Sequence, residues 1–289
     1  IADLDSLPPA VRARALADNA VLNSYLSVAD GMEQAHTAVE IARAVDDPAL
    51  LARALSACGY LHGFDTEAAE PYFSEAIGLA RQTGDDWRLS QILARQAYGA
   101  AMIGEPALAA AYGAEGVALA DAVGDWSSAH LCGWSLGMAM MMRAELRSAA
   151  NQFALTRAKA EADQDVISLL VCLVSQCATL CNLGDTTAAH AVASEAIQTG
   201  ATLGPPSEGA AATILAFAAL AAGDSAAAWK VSLAAWRDPS VRRGTVAASE
   251  IALSALAAAD LAAARELADA AVATLAEIGR ASCRERVSS

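Results

Sequence analysis

A small-residue signature that returns about every 40 positions constrains this chain more than any other feature. Its clearest copy is Ala69, Phe73 and Ala76. Steps of 40 lead to Ala109, Gly113 and Gly116, to Ala149, Phe153 and Thr156, and to Ala189, Ala193 and Ala196. Steps of 39 and 36 then reach Ala228, Ser232 and Ala235, and Ala264, Ala268 and Ala271; Ala35, Val39 and Ala42 stand 34 before the first set. Residues three and four apart share one helix face, so each of these seven copies presents a single strip, small throughout except for Phe73 and Phe153 at the middle position. A second column lies twelve residues upstream of the leading alanine, at Ala57, Ala97, Gly137, Cys177, Ala216 and Ala252, and only Asn23 departs from it. Small side chains at one recurrent spot on each of two helices let the backbones approach, as when a helical hairpin closes and stacks on the next. The expected fold is therefore all-α, a right-handed superhelical solenoid of tandem antiparallel helix pairs.

The punctuation agrees. Asp47, Asp86, Asp125 and Asp165 recur 39, 39 and 40 apart, each before a helical run, and are predicted N-caps. Gly104-Glu105-Pro106, Gly184-Asp185 and Gly223-Asp224 supply a left-handed glycine to end one helix and a cap or proline to begin the next. Hydrophobic residues at 55%, many of them alanine, with aromatics at only 5%, favour closely packed helices over strands. The repeat domain is expected over residues 1–279. The tail, 280–289, breaks the pattern with Arg280, Arg284 and Arg286 and reads as a linker or truncation remnant.

Charge narrows the partners. Lys and Arg total 19 against 33 Asp and Glu, a net charge of -14, which opposes the phosphate neutralisation behind most nucleic-acid affinity. No direct nucleic-acid contact is expected of this segment. Cysteines 58, 132, 172, 177, 181 and 283 lie mostly in apolar helical stretches, unlike a secreted disulfide scaffold, which points to the cytoplasm. Val166 to Leu183 is uncharged and near bilayer length, but Asp165 and Asp185 flank it and several polar residues interrupt it. It reads as a buried repeat helix, with no membrane partner. The chain opens at Ile1 without a methionine or a leader pattern, so a start internal to a longer protein is expected.

The core at Ala69, Phe73 and Ala76, the upstream small column, Tyr60 after Ala57 and the Leu136-Gly137 pair resemble the tetratricopeptide consensus. The period near 40 and the lack of a closing proline depart from that family's usual 34-residue unit. The longer, alanine-rich form is similar to the sensor region of large bacterial LuxR-family transcription regulators, including the MalT-like class, over about residues 10–279. In that family an ATP-binding module precedes the array and a helix-turn-helix follows it. No phosphate-loop motif occurs in this sequence, so nucleotide binding does not carry over, and no cofactor is expected.

Several constellations invite chemistry. Gly133-Trp134-Ser135-Leu136-Gly137 matches a nucleophile elbow with His130 nearby, but the elbow needs a strand entering a tight turn, and this pentapeptide lies in a repeat helix. Cys172, Cys177 and Cys181 lack a second ligand pair for zinc, so no metal site is assigned. Glu75, Glu115 and Glu195 repeat in step with the array and read as a solvated surface without an acid or base role. No catalytic residue is assigned, and the chain is expected not to be an enzyme. In tetratricopeptide arrays the inner helices line a concave groove; taken in register, that groove would carry Tyr98, Trp134, Met138, Met141 and Phe217. Core packing is the plainer account of the same residues, while soft side chains there would suit a peptide or a small apolar effector.

The expected function is an effector-sensing or protein-interaction repeat domain of a bacterial LuxR-family-like regulator. Its partners would be a protein or peptide, a small effector, or a second copy in a homo-oligomer. The alternative is a stand-alone tetratricopeptide scaffold or co-chaperone that binds peptide segments.

Overall fold

The computed structural model describes residues 7–23, 28–62 and 65–236, with the single positions 265 and 269. Among the described residues there are twelve α-helices and no strand. Two compact units divide the chain, Ile1–Met142 and Arg143–Ser289. The first holds α1 (Pro9–Asn23), α2 (Val28–Val45), α3 (Pro48–Leu61), α4 (Thr66–Thr83), α5 (Asp86–Ile103), α6 (Pro106–Val123) and α7 (Trp126–Met142). The second holds α8 (Leu146–Ala162), α9 (Val166–Leu183), α10 (Thr186–Leu203), α11 (Pro205–Ala221) and α12 (Ser225–Trp236).

Within each unit every helix packs on its sequence neighbour, and alternate helices also touch, as α1 does α3, α5 does α7 and α9 does α11. That pattern is the hairpin stack expected of the repeat. The leading alanines at 35, 69, 109, 149, 189 and 228 are buried, as are Ala57, Ala97, Gly137, Cys177 and Ala216 of the upstream column. The two columns meet directly in the second unit, where the Cys177 thiol donates to the Ala189 carbonyl at 3.3 Å. In the first unit a Cβ on Gly113 would stand 3.1 Å from the Cys132 carbonyl oxygen, so α6 and α7 approach to backbone contact. The last copy at 264, 268 and 271, Ala252, the side chain of Asn23 and the 280–289 tail lie outside the described residues.

Three of the four predicted caps hold. Asp47, Asp125 and Asp165 accept the backbone N–H groups of Leu50, Ser128 and Ser168 at 3.0, 3.2 and 3.1 Å. Asp86 is corrected: it is the first residue of α5, and Asp85 caps the helix by accepting the Arg88 N–H at 2.9 Å. The left-handed Gly84 ends α4, so the extended cap geometry falls on the very next residue. Gly104 and Gly184 are left-handed as expected, at φ 84° and 78°. Ala144 and Gln164 take the same conformation without glycine's freedom, at φ 59° and 58°, a strain of about 1 kcal/mol each.

Helix α9 is the one helix among the described residues long and apolar enough to cross a bilayer. Leu170, Leu173 and Cys177 on it are buried in a core with Ala189, Ala193 and Ile214. Its opposite face leaves Ile167 66% exposed.

The periodic glutamates are exposed, as a solvated surface requires, and each is also paired. Arg43 meets Glu75 at 3.0 Å, Arg81 meets Glu115 at 2.6 Å and Arg157 meets Glu195 at 3.1 Å. Each pair joins the second helix of one hairpin to the second helix of the next, which is why the spacing follows the repeat. Such exposed pairs contribute at most about 1 kcal/mol each and act mainly on register.

Candidate ligand-binding groove

Four helices of the first unit, α1, α3, α5 and α7, line an open groove of about 460 Å³. These are the first helices of their hairpins, so the groove lies on the face that the sequence reading gave to ligand contact. Its lining mixes apolar side chains with charged ones, and Tyr98, Trp134, Met138, Met141 and Phe217 are not among them. Asp18, Arg53 and Arg88 stand 35 residues apart on three successive first helices and all line the groove. Arg53 and Asp18 form an ion pair. Arg88, the next position along, donates through a guanidinium N–H to the Gln91 side-chain oxygen at 2.8 Å. One helical face further on, the Arg95 guanidinium lies 4.5 Å from the ring centroid of Tyr60, a cation–π contact.

Burial lowers the pKa of Arg88, and Arg53 pushes the same way, while Asp85 and Asp18 oppose the shift. A guanidinium stays charged at physiological pH regardless, so the consequence is a positive charge in a site that hydrates it poorly. Beneath the groove Asp125 is only 4% exposed. Besides capping α7 it accepts the Ser90 hydroxyl at 2.8 Å, tying α5 to α7. Trp87, 47% exposed, forms the apolar rim.

Of the five residues expected in the groove, three come together. The rings of Tyr98 and Trp134 are tilted against each other with centroids 5.6 Å apart. Trp134 and Met138 pack, partly buried, on Ala100, Ala101, Ala109 and Ala139. Tyr98 and Trp134 each follow a groove residue, Arg95 and Leu131, by three positions, so they continue the same helix faces beyond the 460 Å³ space. Met141 is partly buried on α7. Phe217 belongs to the second unit and packs on the core around Leu173 and Ile214. The sequence reading missed Arg53, Arg88 and Arg95. The signal was available: among the first helices, arginine occurs on α1, α3 and α5 and not on α7, α9 or α11.

The hydrolase-like pentapeptide has no elbow. Ser135 is fully buried in mid-helix, and its hydroxyl donates to the Leu131 carbonyl at 2.7 Å. Cys58, Cys132, Cys172, Cys177 and Cys181 are free thiols. Burial pushes Cys58, Cys132 and Cys172 up to about 12, which removes the reactive thiolate. The side-chain contact between Cys177 and Cys181, together with burial, raises Cys177, and the same contact lowers Cys181. Cys181 is also the more exposed of that pair. Maleimide labelling of the folded chain at neutral pH, mapped by peptide mass spectrometry, is therefore expected to modify Cys181 well ahead of Cys58, Cys132 and Cys172. Equal labelling of all four before unfolding would contradict this packing.

No family model matches the chain. Three proteins, one from Mycobacterium bovis and two from strains of Mycobacterium tuberculosis, each named "Putative HTH-type transcriptional regulator", are 40% identical to it over 231 residues. The alignment covers 78% of this chain and 26% of each relative, so the chain spans about a quarter of the length of these relatives. Among solved structures, BtubC (BKLC) from P. vanneervenii superposes with a TM-score of 0.60 at 15% identity, covering 76% of this chain and 90% of that one. A Podosopora anserina "putative kinesin light chain" of nearly identical TPR-like repeats gives 0.51 at 18% identity, covering 66% and 96%. These likenesses establish the fold, a tetratricopeptide-like helical repeat.

Proposed function

We propose that this segment is the effector-sensing or protein-interaction region of a bacterial helix-turn-helix transcription regulator of LuxR-like type, acting in the cytoplasm without catalysis. The 40% identity over 231 residues to proteins named as such regulators carries the reading. An open groove across the first helices of successive hairpins supports it, because that surface can hold a ligand without enclosing it. A ligand shifts such a region only by binding one packing of the helices more tightly than another. The tilted pair of Tyr98 and Trp134, with Met138 beside it, forms the apolar end of the ligand surface in this reading, and Met141 and Phe217 are further contacts.

The test is a thermal-shift screen of sugars, peptides and nucleotides. Any hit is followed by DNA occupancy of the full-length regulator with and without that ligand. Ligand-dependent occupancy is the expected result; a hit that never alters occupancy would leave a scaffold in place of a sensor. Replacing Trp134 and Met138 together with alanine is expected to weaken binding of the effector by about tenfold or more, with helicity retained by circular dichroism. Unchanged affinity removes both residues as contacts.

A further inference from the structure

Helix α9 carries an apolar stripe that its neighbours leave partly open. Ile167, Val171, Val174, Ala178 and Cys181 follow one another by four, three, four and three residues, so they share one face of the helix. Ile167 and Val171 are exposed, while Val174, Ala178 and Cys181 are half-buried at the margin of the core around Leu173 and Ile214. Phe217 of α11 is half-buried at the same margin. The stripe therefore ends on a thiol. Among the described residues Cys181 is the one cysteine that is not buried. One turn before it, the Cys177 side chain is in contact with it. Cys177 lies wholly inside the junction of α9, α10 and α11, its sulfur 3.3 Å from the Ala189 carbonyl oxygen and 4.0 Å from that of Ile214.

We infer that Cys181 is a covalent capture site for an apolar electrophile of the α,β-unsaturated carbonyl class, with the body of the adduct laid along Ala178 and Val174. This rests on the reading of the segment as an effector-sensing region and names a class of effector. The Cys181 sulfur adds to the β-carbon: an S–C bond forms, the C=C π pair moves to the α-carbon, and the proton lost from the thiol to solvent is returned there. No oxidant or reductant is consumed. Two requirements of such a site oppose each other, because an apolar surface that attracts the molecule also disfavours the thiolate that must attack it. At Cys181 the contact with Cys177 holds the thiol below its ordinary range, although burial pushes the other way. Cys177 is thus a positioning residue. Val174 precedes Cys181 by two turns of α9, about 10 Å along the helix axis, so an alkyl body attached at the thiol has apolar surface to cover. An adduct there bears on the turn that Cys177 anchors in the three-helix junction, where a change of packing reaches α10 and α11 together.

Two maleimides with the same reactive ring and different bodies, N-hexylmaleimide and N-(2-hydroxyethyl)maleimide, test this on the full chain at neutral pH. Labelling of Cys181 is followed by peptide mass spectrometry, and each rate is normalised to that reagent's rate with glutathione. On that scale the hexyl reagent is expected to label Cys181 at least about tenfold faster. Ala178→Gln should remove the preference and Ala178→Met should keep it; the equivalent positions one repeat away hold Met138 and Phe217, so either larger side chain has room. Cys177→Ala, a residue the repeat already carries there as Ala97 and Ala216, should move the pH profile of Cys181 labelling upward with circular dichroism unchanged. Equal normalised rates for the two reagents, or a preference that survives Ala178→Gln, overturns the inference in favour of an accessible thiol without a binding surface. An unmoved pH profile in Cys177→Ala overturns the positioning role. A full-length regulator whose DNA occupancy answers another effector while the two maleimides react alike overturns this assignment alone. Preferential labelling of Cys181 alongside DNA occupancy that no ligand alters upholds the capture site and removes the sensing role.

Discussion

Phe153→Ala is expected to destabilise the second unit by about 3–5 kcal/mol, the range for removing a large aromatic side chain from a core that cannot collapse around the void. Phe153 is the largest fully buried side chain among the described residues, with no exposure at all. The equivalent position in neighbouring copies is Gly113 or Ala193, so nothing in a repeat seam of that kind is large enough to refill the space. Repeat arrays lose stability locally, so a single melting temperature understates the effect. Native-state hydrogen exchange followed by peptide should show protection in α8 and α9 falling first, with α1 to α3 unaffected. A loss below about 1 kcal/mol in urea unfolding would mean that Phe153 does not fill a packed core.

The second large effect contrasts one substitution at two sites. Gly116→Ala is expected to destabilise by about 1–3 kcal/mol, whereas Gly78→Ala is expected to stabilise by about 0.5–1 kcal/mol. Both glycines are inside helices, where alanine is intrinsically preferred. A Cβ on Gly116 would run into the Cys132 sulfur and stand 3.3 Å from the Leu93 Cβ. Cys132 is itself completely buried, so it has nowhere to retreat. A Cβ on Gly78 meets nothing within 4 Å, so only the gain in helix propensity remains. Thermal melts of the two variants beside the parent chain decide the matter; the same sign at both sites would show that the small column is not a close-packed seam.

The fold was legible because steric need at a helix crossing repeats with the backbone. Ala69, Ala109, Ala149 and Ala189 announce their burial through spacing alone, and Gly104 and Gly184 announce the turns through the conformation only glycine takes freely. The placement of caps was less exact. Asp85 and Asp86 are adjacent and chemically equal, and only the end of the preceding helix decides between them. Of the proposed ligand contacts, only the clustering was legible. Tyr98, Trp134 and Met138 do cluster, because apolar residues beside the seam must meet. The arginines escaped notice because net charge averages over the whole chain, and a local cluster of three guanidinium groups beside Asp18 and Asp125 disappears inside an overall balance of -14. The partners of Glu75, Glu115 and Glu195 were hidden for another reason: Arg43, Arg81 and Arg157 lie 32 to 38 positions away, short of the period at which the glutamates themselves were noticed.

The alanine columns have a mechanical corollary. Large interdigitated side chains lock neighbouring helices, since sliding them demands that many rotamers change together. Where the junction gathers Ala100, Ala101, Ala109 and Ala139, or sets Cys177 against Ala189, the mating surfaces carry little bulk. Within each unit, a modest glide along such a junction leaves the hydrophobic area covered and breaks few specific contacts, so compliance is built into the very places that hold the hairpins together.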